Sequence, residues 1–256
     1  MTTTVSRSGG RGGAGQAVAF LTVFGRGVVP TPASLAWFPV VGAAIGTSLG
    51  VAWWGLEQVF PAAVAAVVVV AADLVMTGML HFDGLCDSAD GLLPHLSRKR
   101  RLEVMREPQV GAFGILTAVV VLVARLVALS TIAPVSWWKA ALLLGAVWAV
   151  SRSVMVMATA RMRYVRAEGI AAAFLSENAT VGLAVGCALG AIALAAAALI
   201  AWWPVAGIPV LAAALAGAGA VLLLADRRLG GYTGDVLGAA GVIGETLALL
   251  VAAARW

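Results

Sequence analysis

The sequence predicts an all-α protein, a polytopic helical bundle that is integral to a membrane and crosses it about seven times. Of the 256 residues, 62% are hydrophobic and 11% are charged, whereas soluble globular proteins are about half apolar and about one quarter charged. The apolar residues form long continuous stretches and not the alternating pattern of a membrane β-barrel. This composition excludes an ordinary soluble enzyme and an intrinsically disordered chain.

The amino-terminal segment differs in composition from the rest of the chain. Residues 1–16 are small, polar and rich in glycine, which predicts a disordered tail. Residues 17–30 begin as an apolar run that Arg26 and Pro30 interrupt, which predicts a short segment at the membrane interface. We therefore expect residues 17–256 to form a single membrane-embedded domain.

Seven apolar stretches are long enough to cross a bilayer, since a helix of about 20 residues spans the roughly 30 Å of hydrocarbon. Alanine, valine and leucine dominate them, and frequent glycines let neighbouring helices approach closely. The predicted spans are 37–56, 60–80, 111–132, 139–160, 180–201, 205–225 and 236–254.

The lysines and arginines predict the orientation of the chain. Most of the 17 lie in the amino-terminal tail and in three longer connections, at about 81–110, 161–179 and 226–235. Because positively charged loops stay in the cytoplasm, the amino terminus and these connections are predicted to be cytoplasmic. The same rule accounts for the net charge of +5, so no nucleic-acid partner is expected.

The densest group of acidic residues lies in residues 81–92 (HFDGLCDSADGL), at the predicted cytoplasmic end of a span. In a helix Asp83, Asp87 and Asp90 share one face, where three negative charges repel one another unless a cation neutralises them. Mg²⁺ is a divalent ion that a few carboxylates and substrate phosphates hold together. The three aspartates are therefore candidate Mg²⁺ ligands, and the alternative is a solvated acidic loop.

Three more residues of this segment are candidates for contact with a phosphate. Gly84 and Gly91 each follow an aspartate, and a glycine lets a phosphate approach the backbone closely. His81 could contact a phosphate or accept the proton of an attacking hydroxyl. The alternative for this histidine is a structural position at the membrane interface.

A basic segment follows at residues 97–114 (SRKRRLEVMREPQVGAFG). Its first arginines either set the orientation of the chain in the membrane or contact anionic lipid. Arg106 precedes a proline and a turn of small residues, and its guanidinium is a candidate for two-pronged binding of a phosphate. Gly111 and Gly114 in that turn are candidate substrate contacts.

A third polar segment, residues 227–239 (RRLGGYTGDVLGA), lies where a span begins. Its glycines expose backbone N–H groups at the start of a helix, where anions bind, and close helix packing is the alternative for some of them. Asp235 is placed to join the acidic residues of 81–92 if the loops converge. The candidate substrate contacts are Gly230, Gly231, Thr233 and Gly234.

Four ionisable residues fall inside predicted spans, namely Asp73, Arg125, Arg152 and Glu245. Each would cost at least about 2.5 kcal/mol if it faced lipid. We therefore predict that Arg152 and Glu245 face a polar interior. For Asp73 and Arg125 the sequence does not decide between an interior position and one at the membrane surface, because a span shifted by one turn would place them at the surface.

Five blocks of the chain, taken together and in order, resemble the cobalamin synthase family, also called adenosylcobinamide-GDP ribazoletransferases. The resemblance covers nearly the whole chain from about Phe20 onward, and the second and fifth blocks are specific as a pair. The blocks are FPVVGAAIG (38–46), HFDGLCDSADGL (81–92), RLEVMREPQVGAFGIL (101–116), YVRAEGI (164–170) and LGGYTGDVLGAAGVIGETLALL (229–250).

The resemblance implies an enzyme of coenzyme B12 biosynthesis that depends on Mg²⁺ and is integral to the cytoplasmic (inner) membrane. Its substrates would be adenosylcobinamide-GDP and α-ribazole or α-ribazole 5′-phosphate. Its products would be GMP and adenosylcobalamin or adenosylcobalamin 5′-phosphate. Residues 17–256 would then be one catalytic domain, with the active site facing the cytoplasm.

The candidate residues suit such a transfer, which depends mainly on positioning and charge neutralisation. A metal ion on the three aspartates would bridge the diphosphate oxygens, and two arginines would hold other oxygens. Either the histidine or Asp235 would orient or deprotonate the 5′ oxygen of ribazole, and the sequence favours neither. The predicted catalytic residues are His81, Asp235, Arg106 and Arg152.

Two other function classes are alternatives. A CDP-alcohol-type membrane phosphotransferase also uses clustered aspartates, Mg²⁺ and a nucleotide leaving group, but its usual aspartate pattern does not continue after residue 91. An ion-coupled transporter would use the charged residues inside the spans as coupling sites. Glycine- and alanine-rich helix faces also suit a homo-oligomer, although the same faces pack within one chain.

Overall fold

A computed structural model describes residues 12–25, 30–132, 136–166 and 178–256. In these ranges the chain is helical apart from its connections and one isolated parallel bridge between Tyr164 and Tyr232. The helices are α1 (Gly13–Leu21), α2 (Pro32–Leu35), α3 (Phe38–Glu57), α4 (Ala62–Met76), α5 (Leu80–Leu92), α6 (Arg98–Val104), α7 (Ala112–Thr131), α8 (Trp137–Arg161), α9 (Asn178–Trp202), α10 (Pro204–Leu229) and α11 (Gly234–Ala252). The predicted all-α class is confirmed.

The long helices confirm a polytopic membrane bundle of about seven spans. By length and composition α3, α7, α8, α9, α10 and α11 can each cross a bilayer. The pair α4 and α5 is apolar enough to cross only when taken together and is bent by 89° at its break, as in a broken span or a re-entrant loop, so the spans number six or seven. The cytoplasmic position of the amino terminus stays a prediction.

Helices α3 and α8 pack in close backbone contact, because three glycines of α3 follow one another at every fourth position. Side chains at these positions would collide with backbone carbonyl groups of α8, so glycine brings the two backbones together. The glycines Gly42, Gly46 and Gly50 meet the carbonyl oxygens of Trp148, Leu144 and Ala140, in that order.

We expect Gly46→Val to destabilise the bundle by about 1–3 kcal/mol, because the added side chain would push α3 away from α8. Thermal unfolding in detergent, followed by tryptophan fluorescence, measures the change. Gly55→Val is the matched control, since a Cβ at Gly55 would meet nothing within 4 Å. Equal losses of stability in both variants would contradict a close contact at Gly46.

The predicted continuous span over 60–80 is wrong at its carboxyl end. Helix α4 ends at Met76, and the next residues turn the chain, with Gly78 at φ +59° and Met79 at φ +58°. Two successive residues in the left-handed region cannot continue a right-handed helix. The carbonyl of Met76 accepts a hydrogen bond from the N–H of Val23 at 2.9 Å, so a backbone group freed by the break is satisfied.

The predicted disordered tail also extends too far. Helix α1 begins at Gly13, so Gly13 to Gln16 are helical, while residues 1–11 lie outside the described part of the chain. Tertiary contacts explain the difference, because the hydroxyl of Thr31 donates to Oε1 of Gln16 at 2.5 Å. Ala17 and Leu21 are fully buried one and two turns later.

Candidate active site

Three of the four carboxylates singled out in the sequence lie close together at one end of the bundle. Asp83 is exposed and Asp87 is half-buried on α5, and Asp235 stands in the first turn of α11. Asp235 and Asp83 are close enough to Asp87 for their negative charges to repel it. The expectation that Asp235 joins this cluster is confirmed. We call these three residues the acidic face.

Glycines bring together the two helices that carry the acidic face. A Cβ on Gly84 of α5 would lie 2.8 Å from the carbonyl oxygen of Asp235, and one on Gly238 of α11 would lie 3.1 Å from Cα of His81. The two helices therefore run antiparallel in backbone contact. Gly84 has a packing function here, and its predicted contact with substrate stays a prediction.

Asp90 has a different environment from the acidic face. Its carboxylate is 8% exposed and accepts hydrogen bonds from the N–H groups of Gly111 at 2.7 Å and Gly114 at 2.9 Å. These donors belong to the start of α7, which Asp90 therefore caps from a neighbouring helix. A Cβ on either glycine would approach an Asp90 oxygen to 2.5 Å, which explains the two small residues.

The start of α7 engages Asp90 in this structure, and the metal-binding role of Asp83, Asp87 and Asp90 stays a prediction. Across the described ranges, no three side chains of the His, Cys, Asp or Glu type form a complete set of metal ligands, and this holds for the predicted set and for the acidic face alike. Sequence spacing put Asp83, Asp87 and Asp90 on one helix face, but the start of α7 engages both oxygens of Asp90.

We expect Asp90→Asn to destabilise the protein by about 1–2 kcal/mol, because the amide removes the charge and one of the two acceptors that cap α7. Thermal unfolding in detergent measures the loss. Asp226→Asn is the matched control, because Asp226 is exposed on α10. Unchanged stability together with lost Mn²⁺ binding would contradict the cap and restore Asp90 as a metal ligand.

The loop before α11 forms one wall of the site. Gly230 ends α10 in the left-handed region at φ +72°, and Gly231, at φ +150°, lies against the carbonyl of Arg163. Thr233 caps α11, since its hydroxyl accepts from the N–H of Val236 at 3.3 Å. Gly234 is the first residue of α11. These contacts explain the composition of the loop, and the predicted substrate contacts of these residues stay predictions.

A short parallel bridge joins this loop to the segment after α8. The N–H of Val165 donates to the carbonyl of Tyr232 at 3.1 Å, and the N–H of Tyr232 donates to the carbonyl of Arg163 at 2.9 Å. Burial raises the pKa of Tyr232 to about 12 and also raises the pKa of Tyr164. Both phenols are therefore neutral at physiological pH.

The bridge positions Arg166, which was predicted only as one of the positive charges that set the membrane orientation. Its Nη2 lies 2.6 Å from Oδ2 of Asp235 and donates to the carbonyl of Met105 at 2.9 Å. Its charge also acts on Asp87. The sequence feature that could have identified Arg166 as a site residue is its position in the block 164–170, which is one of the five blocks that resemble the family. Residues 167–170 of that block lie outside the described residues.

Two arginines hold the end of α5 that follows the acidic face. Nη1 of Arg101 donates to the carbonyls of Gly91 at 2.7 Å and Leu92 at 2.9 Å, and Arg228 also donates to Leu92. Positive charges at the carboxyl terminus of a helix stabilise it through the helix dipole, and both arginines are placed there. Burial, followed by repulsion from Arg228, lowers the pKa of Arg101. Arg101 thus has a structural role, and Gly91 packs against Met105.

Two predicted catalytic residues, His81 and Arg152, lie deeper in the bundle than the acidic face. His81 is 6% exposed, and its Nδ1 has no hydrogen-bond partner among the described residues. Nη1 of Arg152 is bound to Oε1 of Glu245 at 2.6 Å and to the hydroxyl of Ser151 at 2.7 Å. Arg106 is exposed and acts electrostatically on Tyr164, beside the bridge.

The four ionisable residues inside the spans form one buried network. Arg125 contacts Oδ2 of Asp73 at 3.0 Å and Oε2 of Glu245 at 2.7 Å, and Arg152 contacts the other oxygen of Glu245. The indole of Trp148 donates to Asp73 at 3.2 Å. Two cations and two anions balance, which confirms the predicted interior position of Arg152 and Glu245.

Known proteins that are similar in sequence identify the family of this chain. The family described as cobalamin-5-phosphate synthase matches residues 14–253. The chain is 36% identical to the adenosylcobinamide-GDP ribazoletransferase of Syntrophobacter fumaroxidans, over 94% of this chain and 98% of that protein. It is 34% identical to the protein of the same name from Chlorobaculum tepidum, over 91% of this chain and 90% of the relative.

A third relative of the same name, from Escherichia coli O17:K52:H18, is 35% identical over 83% of this chain and 84% of that protein. No solved structure matches the chain. The family match covers the acidic face, the cap of α7, the bridge and the buried network. The chain therefore belongs to the cobalamin-5-phosphate synthase family.

Proposed function

We propose that this protein transfers the adenosylcobinamide-phosphate group of adenosylcobinamide-GDP to the 5′ oxygen of α-ribazole or α-ribazole 5′-phosphate. GMP would be released, and adenosylcobalamin or its 5′-phosphate would be formed. The observation that carries the proposal is the convergence of Asp83, Asp87, Asp235 and Arg166 at one end of a membrane bundle of this family. Family relatives carry the name of this reaction.

The donor set of the acidic face fits Mg²⁺ carried on a diphosphate. Mg²⁺ usually binds one or two carboxylates together with substrate phosphates and water, and it does not need a complete protein cage. Asp83 is exposed and Asp87 is partly exposed, so both can offer oxygens to such a ligand, whereas one oxygen of Asp235 is bound to Arg166 and Thr233. Asp90 does not fit, because both its oxygens bind backbone N–H groups. Bound Mg²⁺ would neutralise charge on the diphosphate and on the departing GMP.

The transfer requires a group that accepts the proton of the 5′ hydroxyl. That oxygen would bond to the cobinamide-linked phosphorus, the bond from phosphorus to the GMP oxygen would break, and GMP would keep the electron pair. We assign the proton to Asp235, whose side chain is 21% exposed at the acidic face, in preference to the buried His81. Arg106, exposed near the bridge, would hold a phosphate oxygen.

The surroundings of the acidic face support a cytoplasmic location in the inner membrane. The basic residues of α6, the end of α10 and the segment after α8 lie at the same end of the bundle as the acidic face. Lys- and Arg-rich connections stay in the cytoplasm. Nucleotide substrates would therefore reach the site from the cytoplasm, and the bulky corrinoid would lie between helix ends.

The test is GMP release by the purified protein in detergent. Adenosylcobinamide-GDP and Mg²⁺ would be mixed with α-ribazole or with α-ribazole 5′-phosphate, and nucleotides and corrinoids would be separated by chromatography. We expect GMP and a cobalamin product in equal amounts, and we expect EDTA to stop both. Folded protein that releases no GMP from either pair of substrates would overturn the proposal.

A further inference from the structure

We propose that Arg166 is the internal counter-ion of the acidic face, and that it exchanges Asp235 for a phosphate oxygen when a metal-loaded nucleotide diphosphate binds. The inference rests on the proposed function and deepens it. It assigns a role in substrate binding to a residue outside the predicted site. The guanidinium would hold the acidic face together without substrate and bind the substrate afterwards.

The hydrogen bonds of Arg166 leave donors free for an anion. A guanidinium carries five N–H donors, and the bonds found here, to Asp235 and to the carbonyl of Met105, both come from Nη2. Its Nε is buried without a hydrogen-bond partner in the described part of the chain. An unpaired buried donor is costly, and a phosphate that accepts from Nε and an Nη together would satisfy it.

The charges of the acidic face favour the exchange. Three carboxylates, Asp83, Asp87 and Asp235, lie together at this face. Arg166 contacts only Asp235 among them, and its charge also acts on Asp87. A divalent cation at this face would compete with Arg166 for the Asp235 carboxylate, because both neutralise the same charge. The nucleotide diphosphate that accompanies the metal supplies new acceptors, and arginine binds phosphate oxygens in pairs.

The backbone geometry limits the movement to the side chain. The N–H of Val165, immediately before Arg166, is bonded to the carbonyl of Tyr232, and the next loop residue, Thr233, caps α11 and donates to Asp235 at 3.3 Å. Arg166 and Asp235 are therefore held on joined segments. A change of side-chain rotamer is enough to move the guanidinium from the carboxylate to a neighbouring phosphate.

The test compares Arg166→Gln with Arg163→Gln, which makes the same charge change on an exposed side chain of the same segment. Mn²⁺, which takes the same oxygen ligands as Mg²⁺, is titrated in the absence of nucleotide and followed by electron paramagnetic resonance. We expect Arg166→Gln to bind Mn²⁺ about fivefold more tightly, because it removes a competing cation. Arg163→Gln should match the unsubstituted protein.

The second measurement is the KM for adenosylcobinamide-GDP in the GMP-release assay. We expect Arg166→Gln to raise it about 10- to 100-fold through the loss of charged hydrogen bonds to phosphate. Arg166→Lys should return the Mn²⁺ affinity to that of the unsubstituted protein. Its KM should lie between those of the unsubstituted protein and Arg166→Gln, since lysine lacks the planar pair of donors. Tighter metal binding with weaker substrate binding is a combination that a purely structural role would not produce.

The outcomes separate this inference from the proposed function. Unchanged or weaker Mn²⁺ binding in folded Arg166→Gln, with an active unsubstituted protein, would overturn the role of Arg166 alone. An unchanged KM in that variant would do the same. An unsubstituted protein that neither binds Mn²⁺ nor releases GMP would overturn both the role of Arg166 and the proposed function.

Discussion

Replacing Asp87 by asparagine is expected to lower the rate of GMP release by about 10²–10³-fold, the usual effect of removing one charged group that stabilises a transition state. The charge of Asp87 interacts with those of Asp83, Asp235 and Arg166. The measurement is the initial rate of GMP release at saturating Mg²⁺.

The same variant should keep its stability or gain some. Asp87 is half-buried beside two other carboxylates, so asparagine removes repulsion and leaves a polar side chain of the same size. Asp226→Asn, on the exposed face of α10, is the control for the chemical change and should retain full activity. An Asp87→Asn protein with near-normal turnover would place the reaction away from the acidic face.

The largest expected effect on stability belongs to Glu245→Gln, at about 3–5 kcal/mol. Glu245 binds Arg125 at 2.7 Å with one oxygen and Arg152 at 2.6 Å with the other, and all three side chains are nearly inaccessible to solvent. Glutamine would leave two buried guanidinium groups with a single remaining carboxylate, that of Asp73. Chemical unfolding in detergent measures the difference in the free energy of unfolding.

Glu103→Gln is the matched control for that change. Glu103 makes an exposed ion pair with Arg100 at 3.4 Å, and such pairs contribute about 0–1 kcal/mol. The ratio between the two losses reports on burial and not on the chemistry of the substitution. Similar small losses in both variants would show that the network inside the bundle contributes little to stability.

The network also shows what the pattern of charges predicted. The cost of a charge in lipid was enough to place Arg152 and Glu245 in the interior. It did not decide Asp73 and Arg125, because a shift of one helical turn would have moved either to the membrane surface. Their pairing, at 3.0 Å, depends on how α4 and α7 pack, and that contact joins residues far apart in sequence.

The site residues divide in the same way. Motif spacing identified Asp83 and Asp87, and it anticipated the approach of Asp235. The same spacing could not show that Asp90 caps α7, because helical periodicity says nothing about which neighbouring helix begins beside a side chain. The ion pair of Arg166 with Asp235 was missed for the converse reason, since only the bridge between Val165 and Tyr232 brings its loop to the acidic face.

The sequence by itself determined the membrane class, the approximate number of spans, the family and the segments that carry the chemistry. These follow from composition, from apolar length and from short motifs, which are local properties of the chain. Only the tertiary structure decided the break between α4 and α5, the cap that Asp90 provides, the neutral buried network and the ion pair of Arg166 with Asp235. Each of these depends on backbone groups or charges from different helices meeting at hydrogen-bond distance, and packing sets that distance.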